Sequence, residues 1–88
     1  MDISDYRQKI DEIDKEIVRL FSERMETAAG IAQWKRENGK PVLDAARESQ
    51  KLDAVAALVP QEMEEYTREL YKFLFELSRS YQKKLNGK

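Results

Sequence analysis

The chain has 88 residues, 41% hydrophobic and 38% charged, with a formal net charge of −1. That is enough for one domain, residues 1–88, and its balance lacks the positive field of a nucleic-acid binder, so no nucleic-acid partner is expected. There is no cysteine and no histidine, which removes disulfides, thiolate chemistry, the usual zinc ligand and the usual general base. No metal site is expected, and any chemistry must run on arginine, lysine, carboxylates and amides. The apolar runs are too short to cross a bilayer, and the start Met1-Asp2-Ile3-Ser4-Asp5 has no signal-peptide core. The expected compartment is the cytoplasm, with no membrane partner.

The first helix is predicted from about Ser4 to about Glu37, with Ser4 or Asp2 as N-cap. Tyr6, Ile10, Ile13, Ile17, Leu20, Phe21, Ala28 and Ile31 recur at spacings of three and four, an apolar helical stripe. Asn38-Gly39-Lys40-Pro41 stops it, because Gly39 accepts the left-handed conformation and Pro41 cannot continue the ladder. A second helix is predicted from Asp44, as N-cap, to about Leu58, with Leu52, Val55, Ala56 and Leu58 apolar. Val59-Pro60 ends it and places Pro60 in the first turn of a third helix. That helix carries Met63, Tyr66, Leu70, Phe73, Leu74, Leu77, Tyr81 and Leu85 on one face, and Asn86-Gly87-Lys88 are expected to fray.

These elements make an all-α fold of three helices. The first, at roughly 33 residues and 1.5 Å rise, is ~50 Å long, whereas a compact chain of this size has a radius of gyration of ~12 Å. Its stripe therefore overhangs a compact monomer, and two chains sharing their long helices cover it. An intertwined homodimeric bundle is expected.

Several polar residues sit beside the apolar stripe. Arg24 and Lys35 project within ~20° of each other, about three turns apart. Arg7 lies ~25 Å before Arg24 and ~100° off that face, so one small ligand cannot touch both on one straight helix. In a crossed or antiparallel dimer, Arg7 of one chain reaches the Arg24 region of the other. Asp44, Arg47 and Glu48 cluster at the start of the second helix at spacings of three and four. Ser78 and Gln82 are four apart on the third. Taken singly, each has a plain reading: solvated cations, an N-cap, a surface ion pair, Glu23 as a local partner for Arg24, Trp34 as a packing anchor near a dimer seam. Only the ordered set is specific.

That set resembles the all-α class of chorismate mutases over nearly the whole chain. The stretch Arg7 to Asp14, followed by Ile17, Leu20 and Glu23-Arg24, is similar to the family's opening pattern, with Lys35 at the usual spacing. Pro41-Val42-Leu43-Asp44-Ala45-Ala46-Arg47-Glu48 is similar to its second segment, and Ser78 and Gln82 match its serine and glutamine. The resemblance implies conversion of chorismate, a dianion, to prephenate without a cofactor. It implies that Arg24, with Arg7 from the partner subunit, binds the carboxylates, and that Ser78 donates to one of them. Lys35 and Gln82 would donate to the enol-ether oxygen, where charge develops. Glu48 would accept from the ring hydroxyl with Asp44 assisting, and Arg47 would orient Glu48. Some relatives place a carboxylic acid at the Gln82 position, which must be protonated to donate. Two other readings are an isochorismate-pyruvate lyase of the same fold and a non-catalytic helical dimerisation or regulatory module.

Overall fold

The computed structural model describes residues 1–87. It is all-α, with three helices: α1 over Ile3–Glu37, α2 over Ala45–Ala56 and α3 over Glu64–Asn86, the last led in by a 3₁₀ turn at Gln61–Met63. No described helix is long and apolar enough to cross a membrane.

Between the two candidate caps, the structure uses Asp2. Its carboxylate accepts from the Asp5 N–H at 3.1 Å, and the Asp5 carboxylate accepts from the Asp2 N–H at 3.1 Å. This reciprocal box satisfies two otherwise orphaned donors. At the other end Asn38 caps both through its backbone N–H and its side chain, which donate to the Trp34 carbonyl. Gly39 has φ +63° and the Lys40 N–H closes on the Lys35 carbonyl at 2.8 Å. That is the wide six-to-one bond of a Schellman ending.

The second and third helices differ from the sequence expectation at their junction. α2 stops at Ala56, not Leu58. The next two N–H groups, of Ala57 and Leu58, turn back onto Asp53 and Val55, and Leu58 is left 82% exposed. The proline at 60 blocks a continuous helix here, because it restricts the residue before it to extended backbone. Pro60 itself is extended (φ −60°, ψ 154°) and lies outside α3. Its carbonyl accepts from the Met63 N–H at 2.9 Å, which tightens the lead-in to 3₁₀ form. At the C-terminus Asn86 does not fray. It closes α3, and its side-chain amide donates to the Ala32 carbonyl of α1 at 3.2 Å. Gly87 caps the helix, and Lys88 lies outside the described residues.

α3 packs against both α1 and α2. The buried apolar set is small: Ala28 and Ala32 of α1, Val55 and Ala56 of α2, and Phe75 of α3. Alanines on α1 let α3 approach closely. The face of α3 turned to its own chain is Tyr71, Phe75, Ser78 and Gln82, while Met63, Tyr66, Leu70 and Phe73 of the expected stripe are exposed. The same division runs along α1. Its second half supplies Ala28 and Ala32 to the core, while Ile3, Tyr6, Ile10, Ile13, Ile17 and Leu20 of its first half are exposed. The chain is correspondingly extended, 54 × 27 × 14 Å, with a radius of gyration of 16.1 Å.

Candidate active site

The end of α1 builds one wall of a groove. Once Gly39 turns the chain, Val42 comes back over the helix, and Lys35 Nζ donates to its carbonyl at 2.6 Å. The lysine head is thereby held beside the groove instead of trailing in solvent. Asp44 then caps α2, accepting from the Arg47 N–H at 3.1 Å through Oδ1. This fixes the first two turns, so that Asp44, Arg47, Glu48 and Lys51 face the same opening. α3 supplies the third wall with Phe75, Ser78, Arg79 and Gln82. The groove encloses about 540 Å³, within the usual range for a small-ligand site.

Its charge is lopsided. Among the described residues, Arg24, Lys35, Arg47, Lys51 and Arg79 line it against only Asp44 and Glu48. The guanidinium of Arg24 lies 5.8 Å from the ring centroids of both Tyr71 and Phe75. Those rings support it through cation–π attraction and packing of its stem. Arg24 has no carboxylate partner among the described residues. Glu23, its neighbour in sequence, instead faces Arg19, at 3.2 Å. A planar donor fork without a counter-ion in a groove is suited to a carboxylate ligand.

Ser78 and Gln82 are buried on the groove floor, and Gln82 Nε2 donates to Ser78 Oγ at 3.0 Å. That leaves the serine hydroxyl hydrogen free to donate outward and one N–H of the amide uncommitted. Gln82 Oε1 is buried with no partner among the described residues. Trp34, half exposed, borders the groove.

Seven residues singled out in the sequence thus meet at one place: Arg24, Lys35, Asp44, Arg47, Glu48, Ser78 and Gln82. Arg7 does not. It lies exposed on the second turn of α1, on the half of the helix that extends beyond the core. Arg47 makes no ion pair with Glu48 among the described residues. The partner of Glu48 is Arg79 of α3, whose Nη1 contacts both carboxylate oxygens. Arg79 and Lys51 are groove residues that the sequence reading passed over. Arg79 lies one residue after Ser78 and three before Gln82, so its place on the α3 face was a usable signal. Its pairing across 31 positions was not.

The profile of one protein family, chorismate mutase type II, matches residues 6–83. The chain belongs to that family. The matched span of this chorismate mutase type II chain takes in every candidate site residue, from Arg7 to Gln82. Among curated proteins, the chain is 31% identical over 83 residues to a chorismate mutase of Methanocaldococcus jannaschii, covering 92% of this chain and 84% of that one. It is 37% identical over 82 residues to a bifunctional chorismate mutase/prephenate dehydratase of Buchnera aphidicola, covering 91% of this chain but 21% of that protein. A T-protein of Haemophilus influenzae is 33% identical over 52 residues, 59% of this chain and 14% of its own length. The chain therefore spans most of one relative and about a fifth or less of the other two. No solved structure gives a significant match.

Proposed function

We propose that the chain converts chorismate to prephenate by a concerted 3,3-rearrangement, without a cofactor, as a homodimer in which each groove receives Arg7 from the second copy. The observation that carries this reading is the cationic groove itself. Seven residues of the family pattern converge there, and Arg24 faces it with no counter-ion among the described residues.

The chemistry follows from the donors. Chorismate carries two carboxylates and an enol-ether oxygen, and its rearrangement needs no nucleophile or proton relay. Arg24 binds one carboxylate in bidentate fashion, with the Ser78 hydroxyl as a further donor. The ammonium of Lys35 has three N–H bonds. One is given to the Val42 carbonyl, so two remain for the ether oxygen. The free N–H of Gln82 meets the same oxygen from α3. Charge grows on that oxygen as its C–O bond breaks, so donors fixed beforehand favour the transition state, each by roughly 3 kcal/mol. Glu48 accepts from the ring hydroxyl. The groove walls keep the enolpyruvyl arm folded over the ring in reacting geometry.

The second copy is argued from the exposed stripe. Tyr6, Ile10, Ile13 and Ile17 of α1 and Leu70 and Phe73 of α3 are each 42–58% exposed, a spread of apolar surface that a stable chain this small covers. The half of α1 that needs covering is the half that carries Arg7. A chain free of cysteine suits the cytoplasm.

The test is the loss of chorismate's ultraviolet absorbance on adding protein. Arg24→Ala is expected to lower kcat/KM by about 100-fold or more, with helicity and sedimentation unchanged. A correctly folded dimer that leaves chorismate intact ends the reading. Salicylate formed from isochorismate would replace it with a lyase.

A further inference from the structure

We propose that Arg79 is a positioning residue that holds Glu48 as a locally neutral pair, so that the groove admits a dianion while one carboxylate remains as acceptor for the substrate's ring hydroxyl. The inference rests on the mutase reading above and adds to it a residue which that reading does not use.

Four observations carry it. A single nitrogen of Arg79 faces both oxygens of Glu48, which sets the guanidinium charge directly against the carboxylate and tethers its position. The side chains are only 25% and 24% exposed, so this is no solvated surface pair. The contact bridges α2 and α3, two walls of one groove, and both residues line it. Arg47, the residue that the resemblance offers to Glu48, is exposed and makes no ion pair among the described residues.

The physical argument concerns charge. A lone carboxylate in a groove built for two carboxylates repels its ligand, and the repulsion is screened less the more the groove excludes water. Paired with Arg79, Glu48 keeps its acceptor capacity. A carboxylate offers about four lone-pair sites and the guanidinium occupies two of them. The pair supplies an acceptor for a hydroxyl without supplying net negative charge.

The prediction has an unusual sign. In Arg79→Met, Glu48 is left uncompensated, and KM for chorismate is expected to rise about tenfold. Adding Glu48→Gln to that variant removes the offending charge, so KM falls back to near that of Glu48→Gln alone while kcat stays low. Arg79→Lys keeps the charge but on a more flexible stem with a more strongly hydrated head, which holds Glu48 less firmly. It is expected to keep KM near wild type and lose kcat several-fold, and it carries the test if Arg79→Met does not fold. A purely structural role for Arg79 would give two losses that multiply and no recovery of KM in the double variant. That outcome, or an Arg79→Met enzyme with unchanged kinetics, overturns the assignment while leaving the mutase reading intact. Wild-type protein inert towards chorismate overturns both.

Discussion

Gln82 is the only neutral side chain among the donors proposed for the reacting oxygen, and its amide has no proton to gain or lose. Activity is therefore expected to hold across pH 5 to 7.5 as long as the fold does. Gln82→Glu tests this directly. A carboxylic acid donates only while protonated, so the variant should be most active at the acidic end and lose activity as pH rises and the group ionises. Flat activity in the variant would remove Gln82 from the reacting end. The residues behind this prediction were legible because each keeps company with others in a fixed order along the chain. Lys35, Asp44 and Ser78 mean little singly, and their joint spacing carried the resemblance. Arg79 escaped because its partner lies on another helix. Ion pairs between helices leave no periodicity within either one, whereas the i, i+3 and i+4 pairs that sequence reading favours belong to a single helix. The resemblance gave Arg47 to Glu48, its immediate neighbour, although adjacent residues on a helix do not face each other.

Gly39 decides how the first helix hands the chain to the second. At φ +63° an L side chain meets its own backbone, even though a Cβ there would have nothing within 4 Å. The cost of Gly39→Ala is thus conformational alone, about 1 kcal/mol, and is measurable as a lower urea midpoint. Loss of stability well beyond this would mean that the turn also supports the Lys35–Val42 contact. Helix boundaries were readable where a local device sets them: an acidic box at Asp2 and Asp5, and Asn38-Gly39 followed by Pro41. They were misread between α2 and α3, where Val59-Pro60 looked like a stop and a start at once. The chain instead leaves α2 four residues before Pro60 and winds through a 3₁₀ turn before α3 begins. The face of α3 was also read too simply. One broad apolar surface serves two purposes there: Phe75 is buried with Ser78 and Gln82 alongside, Leu74, Leu77, Tyr81 and Leu85 are half-buried, and Leu70 and Phe73 are exposed.

The molecule is a thin frame with five buried apolar residues among those described, three of them alanine. Contacts with the proposed second copy would extend a core of that size. Ile13→Glu with Ile17→Glu discriminates sharply. In a protein that works as a monomer, two exposed isoleucines exchange for glutamate within about 0.5 kcal/mol each. In the proposed dimer the same pair lies in the seam, so the variant is expected to sediment as a monomer, melt at a temperature that no longer depends on concentration, and lose turnover. The groove has a further consequence at this scale. Cations crowd one concavity, while the chain's total charge is −1, so the rest of the surface is acidic. Charges further apart than a screening length of ~8–10 Å hardly sense each other, so a small ligand inside the concavity responds mainly to the cations that line it. A compact metabolite with two negative ends slips into the positive hollow entire. A long polyanion of similar charge density has to lie across the acidic surface as well, and is turned away by the same charges that leave the hollow open.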